Sequence, residues 1–249
     1  MSAIDGVRWT NESAQKFLAR GRWFGSLSPD MQERIVASSE IVHFAGGVNL
    51  FKIGEPASGL YATLIGDVRA YAYGDNNERI FLRAVGPGSW FGDAPLLDDS
   101  GMRTFEVTAV SQAWLLFLPT ETYRELTADV AVYRAFVQLS CIHMRHAIRV
   151  LVETRSDARV RAARALLRLS RAHGTQTAEG TRLGMNLSQA DLASLVGVSR
   201  QYMNELITRW EDEDVLRWNG KSHPLLKIEQ LRSHLGPLDK WIEETDDWI

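Results

Sequence analysis

The chain has 249 residues, 45% of them hydrophobic and 24% charged, with a formal net charge of −3 at pH 7. This is the make-up of a soluble globular protein with room for two domains. No apolar run approaches membrane-spanning length, Met1–Gly6 lacks the basic and apolar regions of a signal peptide, and the single Cys141 excludes an intramolecular disulfide and a four-cysteine iron–sulfur cluster, so a cytoplasmic protein is expected.

Residues 40–120 read as β-rich. Short apolar runs at Leu50–Ile53, Leu60–Ile65, Val68–Tyr73, Ile80–Val85 and Ala113–Leu118 are punctuated by Gly46-Gly47, Gly54, Gly66-Asp67, Gly74–Asn77 and Gly86-Pro-Gly88. Several short strands with regular turn signals predict a sandwich or jelly roll. After Pro119 the period changes, and Ala128–Arg155 contains neither glycine nor proline. Tyr133, Val137, Ser140, Met144, Ala147 and Leu151 recur at the 4-3 spacing of a coiled-coil seam, which predicts a long helix pairing with a second copy.

The stretch Ser188–Trp210 carries the most functional information. Ser188 with Asp191 forms a capping-box pattern, Leu192, Leu195 and Val196 form an apolar stripe, and Gly197 ends the first helix. Ser199 caps a second helix whose apolar face is Met203, Leu206, Ile207 and Trp210, leaving Arg200, Gln201, Asn204, Glu205 and Thr208 opposite. Arg, Gln, Asn and Glu are the side chains that pair with base edges, so this helix-turn-helix points to DNA, with Ser188, Gln189 and Ser199 at its helix starts. Val215–Trp218, the turn Asn219-Gly220 and Leu225–Ile228 predict a following β-hairpin, the wing of a winged helix, with Lys221 and His223 at its tip near a phosphate backbone. Residues 157–235 carry 12 Lys/Arg against 9 Asp/Glu, whereas 236–249 carry 1 against 5. A mildly basic region is thus hidden by an acidic tail containing Trp241 and Trp248. The acidic run Glu211–Asp214 reads as a solvated helix exit.

In this order the pieces resemble the CRP/FNR superfamily of bacterial transcription regulators, the cyclic-AMP receptor protein and its relatives, from about Phe24 to Leu235. The landmarks are Phe44–Gly47, Leu50–Ala57, Gly59–Tyr61, Gly66–Arg69, Gly86–Asp93 and Ala190–Arg200. The resemblance implies an α+β chain: an effector-sensing jelly roll over 1–127, a dimerisation helix over 128–155, a winged helix-turn-helix over 156–235, and the acidic tail 236–249. It further implies a homodimer on a palindromic operator and contact with RNA polymerase. In relatives that bind cyclic AMP, a Gly-Glu pair and a later Arg-Ser pair hold the ribose and cyclic phosphate. The matching positions here are Gly92, Asp93, Ala94, Arg103 and Thr104. Asp93 is one methylene shorter than the usual glutamate, and Phe105 and Glu106 depart from the pattern, so cyclic AMP is not the favoured effector; a different small molecule, or none, is the alternative. The purine-facing positions of the long helix align near His146 and Ala147.

Haem would need an axial ligand among His43, His143, His146 and Cys141, and these read more simply as solvated side chains; no metal site and no catalytic motif is assigned. Relatives place an arginine where Glu205 stands, so Arg200 keeps the capacity to read guanine while Glu205 suits a cytosine amino group. The competing reading is a dimeric small-molecule-binding module whose C-terminal domain docks protein rather than DNA.

Overall fold

A computed structural model describes residues 8–98, 100–218 and 223–236. The Asn219-Gly220 turn, Lys221 and the tail tryptophans Trp241 and Trp248 lie outside the described residues. The contacts divide the described chain into two compact units, 8–72 with 84–146 and 73–83 with 147–236.

Three helices that the strand pattern did not announce open the first unit: α1 (Asn11–Leu18), α2 (Arg22–Gly25) and α3 (Pro29–Ala37). Local capping explains where they start. Thr10 and Ser13 form a reciprocal capping box before α1, and Ser28 accepts from the Met31 amide just ahead of Pro29, whose missing N–H costs nothing at the first turn. One antiparallel sheet then orders β1 (Glu40–Phe44), β8 (Ala113–Pro119), β3 (Gly59–Ile65) and β6 (Trp90–Phe91). The other orders β2 (Val48–Phe51), β7 (Glu106–Ala109), β4 (Val68–Tyr73) and β5 (Arg79–Ala84). Val68, Ala70, Val107 and Ala109 of the second sheet share a core with Tyr61, Phe91, Ala113 and Leu115 of the first, the arrangement of a jelly roll.

The helix α4 (Ala94–Leu97) follows β6, and α5 (Thr120–Thr127) leads to α6 (Val130–Glu153). Helix α6 is buried on one stripe, Val132, Ala135, Phe136, Leu139 and Ile142, against α1, α2 and α3 and the outer face of β3 and β8. Trp23 fixes that packing: its indole donates to the Ala135 carbonyl (2.8 Å), and its ring lies 5.2 Å from Trp90 and 5.6 Å from Phe136. Each such aromatic pair adds about 1 kcal/mol beyond area burial.

In the second unit α7 (Ala158–His173) runs into β9 (Gly174–Thr177) and β10 (Gly180–Leu183), a hairpin the sequence pattern did not reveal. Then come α8 (Gln189–Val196), α9 (Arg200–Asp212), β11 (Leu216–Arg217), β12 (Leu225–Leu226) and α10 (Ile228–Ser233). The sheet orders β11-β12-β10-β9. The expected returning strand Leu225–Ile228 is thus shorter, because Lys227 sits at the N-cap of α10 and Ile228 begins that helix. Among the described residues, no helix is long and apolar enough to cross a membrane.

Candidate functional site

The helix-turn-helix is built by local chemistry. Ser188 accepts from the Asp191 amide while the Asp191 carboxylate accepts from the Ser188 amide, so two otherwise unbonded donors are satisfied where α8 starts. Gly197 ends α8 at φ 72°, ψ 48°, the left-handed conformation that costs an L-residue with a Cβ about 1–2 kcal/mol. Ser199 then accepts from the Tyr202 amide (3.1 Å) and starts α9. Met203, Leu206, Ile207 and Trp210 are buried, each at 3% exposure or less. Arg200, Gln201, Asn204, Glu205 and Thr208 are all exposed, so the structure puts the sequence-selected polar residues on one solvent face.

Two details of that face were not visible in the sequence. The Gln201 side-chain amide donates to Glu205 Oε1 (3.1 Å), and the Thr208 hydroxyl donates to the Asn204 carbonyl (3.0 Å). Of the wing residues, His223 is exposed, with Nδ1 3.2 Å from the Leu183 carbonyl of β10. The acidic run at the C-terminal end of α9 is largely exposed, and three of its members are tied to neighbours. Glu211 accepts from the Trp218 amide (2.7 Å), Glu213 pairs with Arg159 (3.0 Å), and Asp214 pairs with Arg217 (3.4 Å).

In the first unit the cassette residues split into two groups. Gly92, Asp93 and Arg103 come together and are buried; Ala94 and Thr104 are exposed. The Arg103 guanidinium donates to the carbonyls of Gly92 (2.9 Å) and Gly59 (2.5 Å) and lies 4.1 Å over the Phe51 ring. Its Nε is buried with no hydrogen-bond partner, and burial pulls the guanidinium below its usual pKa against the pull of Tyr61, Asp93 and Glu55. Gly92 has a φ of +86°, which favours glycine, and a Cβ there would stand 2.7 Å from Arg103 Nη1, so the guanidinium would have to shift.

Asp93, 3% exposed, is held from α6: the Ser140 hydroxyl donates to one carboxylate oxygen, and His143 Nδ1 lies 3.0 Å from the other. Burial pushes the Asp93 carboxyl up, but the His143 and Ser140 bonds and the His143 charge outweigh it and hold the group below the ordinary carboxylate range. Ser140, expected in the dimer seam, therefore spends its hydroxyl on the cassette, and His143 is a cassette partner as well. Their three-residue spacing on one helix face was the available signal. Glu106 does not face this cluster. Phe105, Val107 and Ala109 pack with the inter-sheet core, while Glu106 lies on the opposite side of β7 beside Thr108.

The remaining seam positions are open. Tyr133 (45% exposed), Met144 (57%) and Leu151 (68%) are exposed with Ile148 and Val152, Ala147 is exposed, and Val137 is half-buried. Among the described residues no group of three or more His, Cys, Asp or Glu side chains gathers as a metal site, and Cys141 is exposed and free.

Residues 41–129 match the model of the cyclic nucleotide-binding domain, and residues 160–233 match that of the Crp-like helix-turn-helix domain. The chain belongs to the CRP/FNR family. It is similar to the CRP-like cAMP-activated global transcriptional regulator of Mycobacterium tuberculosis, 26% identical over 218 residues, covering 87% of this chain and 97% of that one. It is also similar to the CRP-like protein Clp of Xanthomonas oryzae pv. oryzae, 26% identical over 198 residues, covering 76% of this chain and 85% of that one. Among solved structures, the c-di-GMP responsive global regulator CLP of Xanthomonas campestris superposes with a TM-score of 0.65 at 25% identity, over 80% of this chain and all (100%) of that one. FixK2 of Bradyrhizobium japonicum shares the fold, with a TM-score of 0.69 at 18% identity over 80% of this chain and 98% of that one. CRP/FNR members are DNA-binding transcription regulators rather than enzymes, and the helix-turn-helix described above is the DNA-binding part of this one.

Proposed function

We propose that this regulator acts in the cytoplasm as a homodimer, reads a palindromic operator through α9, and needs no cyclic AMP to do so. The exposed face of α9 carries the reading: five polar side chains face solvent opposite a wholly buried apolar stripe. Arg200 has the bidentate geometry for guanine, and Asn204 and Gln201 have that for adenine. Ser188, Gln189 and Ser199, at the two helix starts, suit phosphate contacts, as does the exposed His223; the sequence adds Lys221 to them.

Pairing through α6 is supported by its exposed row of Tyr133, Met144, Ile148, Leu151 and Val152. Exposed apolar side chains at coiled-coil spacing are costly in water, and a second copy would relieve that cost. Two-fold pairing would space two copies of α9 for half-sites about one helical turn, roughly 34 Å, apart. Contact with RNA polymerase follows from family membership, with no residue assigned to it.

The name of the M. tuberculosis relative attaches cyclic AMP to that protein, and the X. campestris structure attaches c-di-GMP to its own. In this chain Asp93 is already bonded to Ser140 and His143, and Arg103 to two main-chain carbonyls. A cyclic nucleotide would have to displace bonds that the protein makes for itself. The test is selection from a randomised duplex library, with and without cyclic AMP, alongside sedimentation of the free protein. A dimer that enriches one palindrome equally under both conditions is expected. Enrichment only with cyclic AMP would overturn the effector reading, and no palindrome under either condition would overturn the assignment of α9.

A further inference from the structure

The least expected residue on the reading face is Glu205. A carboxylate only accepts hydrogen bonds, and at the surface of DNA it is repelled by phosphate. Among the described residues Glu205 forms no ion pair; its bond is the one from Gln201, one helical turn earlier (3.1 Å). Both side chains are exposed, so this bond is not forced by packing.

Its chemistry fixes what the pair can present. Because Glu205 has no proton to give, the NH2 end of the Gln201 amide must point toward it. Gln201 then keeps its carbonyl oxygen and its second N–H, an acceptor and a donor side by side. That is the pattern complementary to adenine, which offers a donor at N6 and an acceptor at N7 in the major groove. Glu205 keeps its other oxygen, an acceptor with no donor beside it. Such a group is repelled by the acceptors of guanine and by the thymine carbonyl; it is matched best by the amino group of cytosine, because adenine sets the N7 acceptor beside its own amino group. Nearby, Thr208 has used its hydroxyl proton on the Asn204 carbonyl (3.0 Å), so it does not supply Glu205 with a donor.

We infer that Gln201 and Glu205 work as one reading unit in which Glu205 selects cytosine at one base pair of each half-site and orients Gln201 for adenine at a neighbouring one. The inference rests on α9 being the base-reading helix and adds the identity of what it reads. Gln201 is a direct reader; Glu205 is a direct reader at its own base pair and a positioning residue for Gln201.

The experiment is library selection with the full-length protein and with Glu205→Ala, Glu205→Gln and Gln201→Ala, followed by affinity measurements on the selected duplex and on a scrambled one. The wild type is expected to enrich a palindrome with cytosine at one position and adenine at another. Gln201→Ala should lose the adenine preference alone. Glu205→Ala should lose the cytosine preference by roughly ten- to a hundredfold, weaken the adenine preference with it, and bind the scrambled duplex more tightly because a charge facing phosphate is gone. Glu205→Gln should restore the adenine preference relative to Glu205→Ala without restoring cytosine.

A wild-type palindrome whose base preferences are unchanged in Glu205→Ala would overturn the inference and leave DNA reading by α9 standing. A variant that binds every duplex more tightly with no change in preference would overturn it too, since Glu205 would then only tune affinity. No palindrome for the wild type, even with cyclic AMP added, would remove both this inference and the reading beneath it.

Discussion

Asp93 offers a direct test of how the cassette is held. Replacing it with alanine removes a carboxylate that is 3% exposed and accepts from Ser140 and His143. Each charge-assisted bond is worth about 1.5–3 kcal/mol. The variant also regains part of the cost of burying a carboxylate, and Ser140 and His143 are only half-buried and can rehydrate, His143 being 21% exposed at its side chain. The net loss should be about 2 kcal/mol at neutral pH. Asp93→Asn, which keeps the shape and removes the charge, should fall between the wild type and Asp93→Ala. The folded carboxyl sits below its ordinary value of 3.8, so its contribution is fully present above that value and is lost as pH falls through the lowered folded value. Urea unfolding followed by tryptophan fluorescence should show a gap between wild type and Asp93→Ala that is steady well above pH 4 and narrows only at lower pH. A variant as stable as wild type at pH 7, or a gap that widens below pH 4, would refute the assignment of Asp93 as an ionised anchor of α6.

Three further outcomes follow from the same geometry. Gly197→Ala should cost about 1 kcal/mol in thermal unfolding of the helix-turn-helix, all of it backbone strain, because an added Cβ meets nothing within 4 Å; a loss of several kcal/mol would mean that packing, not conformation, fixes this turn. Ile148→Asp, at a position 53% exposed on α6, should shift sedimentation from dimer to monomer while leaving the far-ultraviolet circular dichroism unchanged; an unchanged dimer would move the interface elsewhere. Arg200→Ala should cost about 1–3 kcal/mol at one base pair, measured by competition between the selected duplex and single-base variants; equal loss on all sequences would make Arg200 a phosphate contact.

What could be read in advance depended on how far apart the interacting groups lie along the chain. The helix-turn-helix was legible because its determinants are local: Ser188, Asp191, Gly197 and Ser199 cap and terminate within a dozen residues, and the buried stripe of α9 repeats at helical spacing. The jelly roll was legible from its strand and turn rhythm, but β9 was not, since Gly174–Thr177 is exposed throughout and carries no apolar alternation. The N-terminal helices escaped because α2 is four residues long, too short to show a period. Ser140 was assigned to the seam because it falls on the 4-3 spacing, and nothing local indicates that an aspartate 47 residues earlier takes its hydroxyl.

The same distance effect separates family from effector. The cassette pattern identified which residues meet, Gly92 with Arg103, but not what satisfies them. Arg103 is buried and bonded to two carbonyls, with its Nε unpartnered and an aromatic ring beneath it. A guanidinium kept out of water costs free energy that neutral carbonyls and a ring offset only in part. An anion reaching Nε would be held more strongly here than at an exposed arginine, where water competes. A compact anion that approaches Arg103 alone therefore makes a smaller demand than a ligand that must also displace Ser140 and His143 from Asp93. Titrating wild type and Arg103→Met with inorganic phosphate while following thermal unfolding separates the two demands. Phosphate should raise the wild-type midpoint and leave the variant unmoved; equal shifts in both would show that Arg103 is a packing residue whose bonds to the backbone are sufficient.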